Sequence, residues 1–345
     1  MKGLNYFAEI CSIQMSQQDI DIINGVFNSS NFNFDQLAIQ VFKFQYEHNP
    51  LYRQYCDLIK KVPGNVHKIQ DIPFLPIVFF KTHKVITGSN AVKLVFESSG
   101  TTGMIPSKHF LTNENIYTES FLKTFSLFFG DPSQYCILGL LPNYLEKGNS
   151  SLVYMVHELI GLSNHYNSGF YLQDLDALAN ILLENEKNKI KTILFGVTYA
   201  LLDFAEKFPI PLQHCRILET GGMKGRKKEI IRAEVHTILR EKFQLKQIAS
   251  EYGMTELLSQ AYALQDGLFS CPPWMKILIR AEDDPFAISG DAGTSGVINI
   301  IDLANIYSCA FIATDDVGKI TTNHHFEITG RLDVTDLRGC SLLTA

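Results

Sequence analysis

Between about residues 92 and 270, short apolar runs alternate with amphipathic stretches, and this alternation restricts the fold more than any other feature. The runs are Val92–Phe96, Tyr135–Leu141, Thr192–Val197, Ile217–Leu218 and Gln247–Ala249. Helical patterns lie between them at Thr112–Phe129, Ser150–Ile160, Leu172–Glu186 and Lys227–Lys242. Strand, helix and strand in succession form βαβ units, because a parallel pair needs a crossover that returns the chain to its starting end. A largely parallel sheet in an α/β fold is expected.

The flanks differ. Residues 1–95 read as mostly helical, with Phe34, Leu37, Ala38, Val41, Phe42 and Tyr46 at helical spacing, before Pro63-Gly64, Pro73 and Pro76 mark a linker. After Cys271-Pro272-Pro273 closely spaced strands follow: Met275–Ile279, Gly296–Asp302, Phe311–Ala313, Lys319–Thr321 and His325–Thr329. The expected organisation is a helical segment (1–95), an α/β core (96–270), a small antiparallel β subdomain (271–330) and a tail (331–345).

Composition removes several function classes. With 36 acidic and 30 basic residues the formal charge is −6, which argues against a nucleic-acid surface. The longest apolar run, Phe74–Phe80, is interrupted by Pro76 and far shorter than the ~20 residues that span a bilayer. The N-terminus lacks the apolar core of a secretory signal, and none of the 7 cysteines sits in a Cys-x-x-Cys pair. A cytoplasmic chain without disulfides is expected. His157 and His165 read as structural, since a metal site needs three or four ligands.

Three stretches have the parts for phosphate chemistry. In Ser98-Ser99-Gly100-Thr101-Thr102-Gly103, followed by Pro106 and Lys108, glycines admit backbone close to an anion, hydroxyls add donors and Lys108 adds charge. A plain polar turn has the same letters, and no Walker A lysine follows. In Glu251-Tyr252-Gly253-Met254-Thr255-Glu256, before a helical pattern from Leu257, the Tyr252 ring can face a base, Thr255 can bond a phosphate and Glu256 can hold Mg²⁺. A Tyr-Gly turn with a Glu at a helix N-terminus explains the residues equally well. In Thr314-Asp315-Asp316-Val317-Gly318, with Gly330-Arg331-Leu332-Asp333 beyond it, Asp316 can accept a ribose diol and Arg331 can pair with an oxygen. Asp-Gly hairpin turns are common, however.

The order of these stretches, with Glu219-Thr220-Gly221-Gly222 between the first and second, resembles the adenylate-forming superfamily of acyl-CoA synthetases, adenylation domains and luciferases. The resemblance runs from 98 to 333. Phe80-Lys81-Thr82-His83, the Ser107 before Lys108, and the ending Asp333 to Ser341 look like the LuxE acyl-protein synthetases of bacterial bioluminescence.

That resemblance implies the N-terminal domain of an adenylate-forming enzyme, αβαβα layers plus a small β subdomain. It also implies ATP- and Mg²⁺-dependent activation of a carboxylic acid, a long-chain fatty acid in the luminous systems, as an acyl-adenylate, then transfer to a protein or thiol acceptor. By the same resemblance Ser99, Gly100, Thr101, Thr102, Gly103 and Lys108 form the phosphate loop; Gly221, Gly222, Tyr252 and Gly253 enclose adenine; Thr255 contacts the α-phosphate; Glu256 takes the metal; Asp316 and Arg331 hold the ribose. Leu141–Tyr144, Ser150-Ser151 and Asn167–Tyr171 fall on the acyl side. The chain stops at Ala345, so the mobile C-terminal domain and its bridging lysine are expected to be largely absent, with Lys81, His83, Arg226 and Arg338 as candidate replacements. Cys340, in Arg338-Gly339-Cys340-Ser341, matches the cysteine that carries the acyl group in LuxE-like proteins, against the alternative of an inert tail residue. Two other readings stay open at this point: a short phenylacetate-type CoA ligase, and a nucleotide-binding scaffold that has lost its chemistry. Oligomeric state is not legible.

Overall fold

The computed structural model describes residues 25–27, 33–99, 105–142, 148–221, 231–265, 267–321 and 325–332. Its helices are α1 (Phe34–His48), α2 (Pro50–Leu58), α3 (Phe79–Thr82), α4 (Glu114–Phe129), α5 (Ser151–Ser163), α6 (Leu175–Lys187), α7 (Thr198–Lys207) and α8 (Arg232–Phe243). The strands are β1 (Leu75–Pro76), β2 (Leu94–Glu97), β3 (Lys108–Leu111), β4 (Cys136–Leu140), β5 (Gly169–Phe170), β6 (Thr192–Val197) and β7 (Cys215–Thr220). They continue with β8 (Ala249–Tyr252), β9 (Ala261–Ala263), β10 (Met275–Arg280), β11 (Ile288–Ser289), β12 (Ser295–Asp302), β13 (Phe311–Ile320) and β14 (Phe326–Arg331).

The alternating segment builds one sheet in the order β5-β4-β6-β7-β8-β9, parallel except for β9. Its strands carry continuous apolar runs because both faces are covered. On one face Leu138, Leu194 and Ile217 pack with Leu182 of α6, Phe204 of α7 and Leu239 of α8. On the other, Ile137, Phe195, Leu218 and Ala249 join Phe121 of α4 and Leu159 of α5 in the larger core. That core extends to a second sheet, β1-β13-β12-β10-β11 with β14 on β13, and through Phe311 to Val41 and Phe42 of α1. The layers therefore run helix, sheet, helix, sheet, helix.

Polar residues lock the outer layer. Asn33 caps α1 by accepting from the N–H groups of Asp35 and Gln36, and Asn49 caps α2 ahead of Pro50. Fully buried Gln45 donates to the carbonyls of Asn305 and Ile306 and accepts from the Ala310 N–H, tying α1 to the second sheet. Breaking such a buried set leaves groups unpaired, at about 1–3 kcal/mol each.

Several elements depart from the sequence reading. Val92–Phe96 does not join the parallel sheet: β2 pairs antiparallel with β3 in a separate hairpin that brackets the first phosphate stretch. The helical pattern from Leu257 leads into the antiparallel strand β9, because a short buried apolar run has no period that separates helix from strand. The expected strands Phe311–Ala313 and Lys319–Thr321 are one strand, β13, so Asp316 sits mid-strand and in no turn. Helix α7 has no counterpart among the expected helices; Thr198–Lys207 follows β6 without a break signal. Strand β8 starts at Ala249 and runs to Tyr252, carrying the second motif into the sheet.

Candidate active site

The second and third motifs meet. The Tyr252 hydroxyl at the end of β8 donates to Asp316 Oδ2 at 2.8 Å, while its ring lies edge-on to Phe269 and Phe326. Burial, then the Asp316 charge, push the Tyr252 phenol well above its usual range, so it stays a donor. Across the β13–β14 pair Asp316 faces Arg331, whose Nε stands 3.8 Å from Asp316 Oδ1 and whose Nη2 stands 3.9 Å from Asp315 Oδ2. Gly318 makes this pairing possible: a Cβ there would stand 2.4 Å from the Glu327 carbonyl, where the register shifts. The Arg331 side chain is 53% exposed and that of Asp316 19%, so the pair lies at the solvent side of the sheet.

The next turn of chain is held from below. His109 of β3 places Nδ1 2.8 Å from the Thr255 carbonyl, and burial pushes its imidazole down to about 4, so the ring is neutral and Nδ1–H is the donor. The Asn305 amide donates to the Glu256 carbonyl at 2.8 Å. Asp302 accepts from the Leu258 and Ser259 N–H groups, the Ser259 hydroxyl and the Ala304 N–H. The Glu256 carboxyl is buried, which raises its pKa; a hydrogen bond with Ser107 and the charges of Arg331 and Lys81 pull it partly back. Glu256 thus sits within reach of the end of the first stretch, the third motif and Lys81 at once. His109, Asn305 and Asp302 carried no sequence signal, since each acts through a contact far along the chain.

The first stretch is closed at its neck: the Ser98 N–H donates to the Ser107 carbonyl at 3.0 Å, and the Ser107 N–H to Ser98 Oγ at 2.9 Å. Ser99 is exposed above the neck, whereas Gly100, Thr101, Thr102 and Gly103 lie outside the described residues. Lys108 pairs with Glu97 across the hairpin at 3.0 Å. The lysine is exposed and the glutamate partly so, and the pair contributes at most about 1 kcal/mol.

At the end of β7, Gly221 is exposed and Gly222 lies outside the described residues. Glu219 is buried under α8, accepting from Thr198 and from Ser250 at 3.0 Å, with Arg232 Nε at 3.7 Å and His236 Nε2 at 3.8 Å. Burial raises this carboxyl, but the His236 hydrogen bond and the Arg232 charge outweigh it and hold Glu219 below the usual carboxylate range. The cluster anchors the end of β7.

The remaining candidates divide. Lys81 lies on α3, and His83 follows it, stacked on Phe79. Arg226, Asp333, Arg338 and Cys340 lie outside the described residues, as do 143–147. On the proposed acyl side, Ser150 caps α5, Ser168 accepts from the Ile137 N–H, and the Tyr171 hydroxyl donates to the Asn167 carbonyl, so these groups are spent on local structure. Burial pushes the Cys56 thiol up to about 12 and those of Cys215, Cys271 and Cys309 higher still. Among the described residues there is no group of three or more His, Cys, Asp and Glu able to hold a metal ion by themselves, and no helix long and apolar enough to cross a membrane.

The family model for LuxE acyl-protein synthetases matches residues 26–345. The chain belongs to this family. It is similar to a long-chain-fatty-acid–luciferin-component ligase of Aliivibrio fischeri, 25% identical over 90% of this chain and 87% of that protein. The ligase of the same description from Photorhabdus luminescens is 37% identical over 70 residues, 20% of this chain and 60% of that protein. Among solved structures, 2-hydroxyisobutyryl-CoA ligase in its postadenylation state matches with TM-score 0.61 at 12% identity, over 87% of this chain and 68% of that one. ATP-bound MatB from Rhodopseudomonas palustris matches with TM-score 0.52 at 17% identity, over 71% of this chain. The chain spans about half of that MatB, 49% of its length. The fold is therefore that of the adenylate-forming enzymes, and the LuxE-family chain is an ATP-dependent ligase.

The Tyr252–Asp316 bond makes a specific demand on the site. Tyr252→Phe removes one hydrogen bond to a charged group, about 1.5 kcal/mol. The KM for ATP is expected to rise about tenfold with kcat little changed, measured as initial rates of pyrophosphate exchange over a range of ATP concentrations.

Proposed function

We propose that this chain activates a carboxylic acid, a long-chain fatty acid as in the name of its Aliivibrio relative, and passes the acyl group by way of Cys340 to a protein or thiol acceptor. The observation that carries the reading is the convergence of Tyr252 at the end of β8, Asp316 in the middle of β13, Arg331 at the end of β14 and Glu256, with the Ser98–Ser107 neck beside them.

The chemistry follows from the groups present. Asp316 accepts the ribose hydroxyls, with its second oxygen steadied by Tyr252, and Arg331 fixes a ribose or phosphate oxygen. Ser99, Lys108 and the hydroxyls of the first stretch neutralise the outer phosphates. An oxygen of the substrate carboxylate attacks the α-phosphorus, the bond to the bridging oxygen breaks, and pyrophosphate leaves with that electron pair. The acid has now gained AMP as a leaving group. In the second step a thiolate attacks the acyl carbon, the carbon–oxygen bond to AMP breaks, and AMP departs while the thiol proton passes to solvent.

One buried carboxylate, Glu256, beside hydroxyl groups and substrate oxygens is a donor set that suits Mg²⁺, which takes few protein ligands and keeps phosphate oxygens and water. When bound, the ion supplies charge neutralisation at the phosphates. Glu256 would hold it, and Thr255, pinned by His109, would keep its hydroxyl toward the α-phosphate. Lys81 adds a cation near the same carboxylate. Dependence on ATP supports a cytoplasmic location.

ATP–pyrophosphate exchange over a panel of fatty, aryl and amino acids tests the proposal. Exchange dependent on a fatty acid is expected; exchange with none of the acids would leave a nucleotide-binding protein without this chemistry.

A further inference from the structure

The nucleotide motifs leave one interior cluster unused. In the parallel pairing of β7 and β8, Thr220 stands beside Glu251, and on β9 Tyr262 stands beside it on the other side. Neighbours in register share a face, so Thr220 and Glu251 both turn toward the layer of α4 and α5, away from the Glu219 cluster. Gln260 completes the group: a Cβ on Gly253 would stand 2.3 Å from Glu251 Oε1 and 3.4 Å from Gln260 Cγ, so both side chains fold over that glycine. A side chain at position 253 would displace the carboxyl from this place.

The cluster is incompletely satisfied. Thr220 Oγ1 and Gln260 Oε1 are buried without a hydrogen-bond partner, in residues 1% and 4% exposed. Such groups are almost always paired in a finished interior. Glu251 faces Tyr117 from α4 and Tyr262 from β9, with Glu219 behind it on β7. Burial and then the Glu219 charge push its carboxyl up to about 8, so near neutrality it keeps its proton and can both donate and accept. Gln260 Oε1 only accepts, and the Thr220 hydroxyl does either. A group that must give a proton to Gln260 and offer a lone pair to Glu251 or Thr220 from a single atom is a hydroxyl. An ammonium lacks the lone pair and a ketone lacks the proton.

Location ties the cluster to the acyl group. On β8 Glu251 precedes Tyr252, whose hydroxyl is on Asp316, and lies four residues before Thr255, so the cluster shares a strand end with the residues assigned above to the ribose and the α-phosphate. We infer that Glu251, Gln260 and Thr220 form a polar subsite for a hydroxyl near the carboxyl end of the acid, so that the enzyme takes a hydroxy fatty acid in preference to the unsubstituted chain. The inference rests on the proposed acid activation and narrows its substrate.

The test compares tetradecanoic, 2-hydroxytetradecanoic and 3-hydroxytetradecanoic acids in pyrophosphate exchange with the full chain. One hydroxy acid is expected to have at least tenfold higher kcat/KM than tetradecanoic acid, chiefly through KM. In Glu251→Leu and in Gln260→Leu that ratio is expected to fall to within about twofold of unity, while Glu251→Gln, which still donates and accepts, keeps most of it. Equal or better use of tetradecanoic acid by the unaltered protein overturns the inference and leaves a buried polar cluster served by water, and this outcome does not depend on any variant folding. Exchange with no acid at all would instead count against adenylation. The subsite is then judged by calorimetric titration of the three acids into the unaltered protein, where a tenfold tighter hydroxy acid supports it and equal affinity overturns it.

Discussion

Glu256→Gln is expected to lower ATP–pyrophosphate exchange about a hundredfold or more, the size of loss seen when one preorganised charge stabiliser is removed. The backbone around Glu256 is fixed independently of its carboxyl, by His109 on Thr255, Asn305 on the Glu256 carbonyl and Asp302 on the two following N–H groups. The amide therefore keeps the shape of the turn and removes only the charge. Burial raises the Glu256 pKa, so the carboxylate needed for Mg²⁺ is lost on acidification at a higher pH than an ordinary glutamate would show. The unaltered enzyme should show an acidic limb in its exchange–pH profile that the glutamine variant lacks. Stability moves the other way. A carboxyl whose folded pKa is raised contributes stability that is full below the unfolded pKa and is lost as pH rises through the folded value. At neutral pH and above, without ATP, the variant is expected to melt no lower than the parent. A drop in both Tm and activity would mean that the residue holds the fold and not the metal.

The fold was legible wherever the chain states its environment locally. Strand β4 is apolar throughout and β6 is apolar after Thr192 because helices cover both faces, and their segments of sequence match the expected runs closely. Legibility failed where an environment is set from far away. Leu257, Leu258 and Ala261 have helical spacing, yet Asp302, some forty residues on, takes the Leu258 and Ser259 N–H groups and lets the chain enter β9 instead. Polar Thr314–Gly318 breaks an apolar pattern, but these residues stay in β13 because one side of that strand faces the open site. The candidate site divides in the same way. Tyr252, Glu256, Asp316 and Arg331 stand in recognisable short motifs. His109, Asn305 and the Glu251 cluster are single polar residues in apolar surroundings, and only the pairing of distant strands gives them partners. The carrier of the acyl group is a separate matter, decided by chemistry at a thiol.

Cys340→Ser is expected to abolish covalent acylation of the protein while leaving fatty-acid-dependent pyrophosphate exchange in place. Availability of a thiolate separates Cys340 from the cysteines of the core. A free thiol near pKa ~8.5 is a few per cent thiolate at neutral pH, enough to attack an acyl-adenylate. Cys56, Cys215, Cys271 and Cys309 are far from that condition, since burial raises each of them, Cys56 to about 12. Cys136 is raised for the same reason. These thiols are effectively uncharged, and four of the five are buried in the core. Serine in place of Cys340 offers a hydroxyl with almost no alkoxide at neutral pH, so the adenylate should accumulate on the enzyme after a single turnover. Incubation with labelled acid and ATP, followed by denaturing electrophoresis, reads the difference. The parent should retain label that neutral hydroxylamine removes, Cys271→Ser should retain it as well, and Cys340→Ser should lose it by at least a hundredfold. Label that persists in Cys340→Ser and still yields to hydroxylamine would move the acyl group to another cysteine, and the transfer half of the proposed function would have to be rebuilt around that residue.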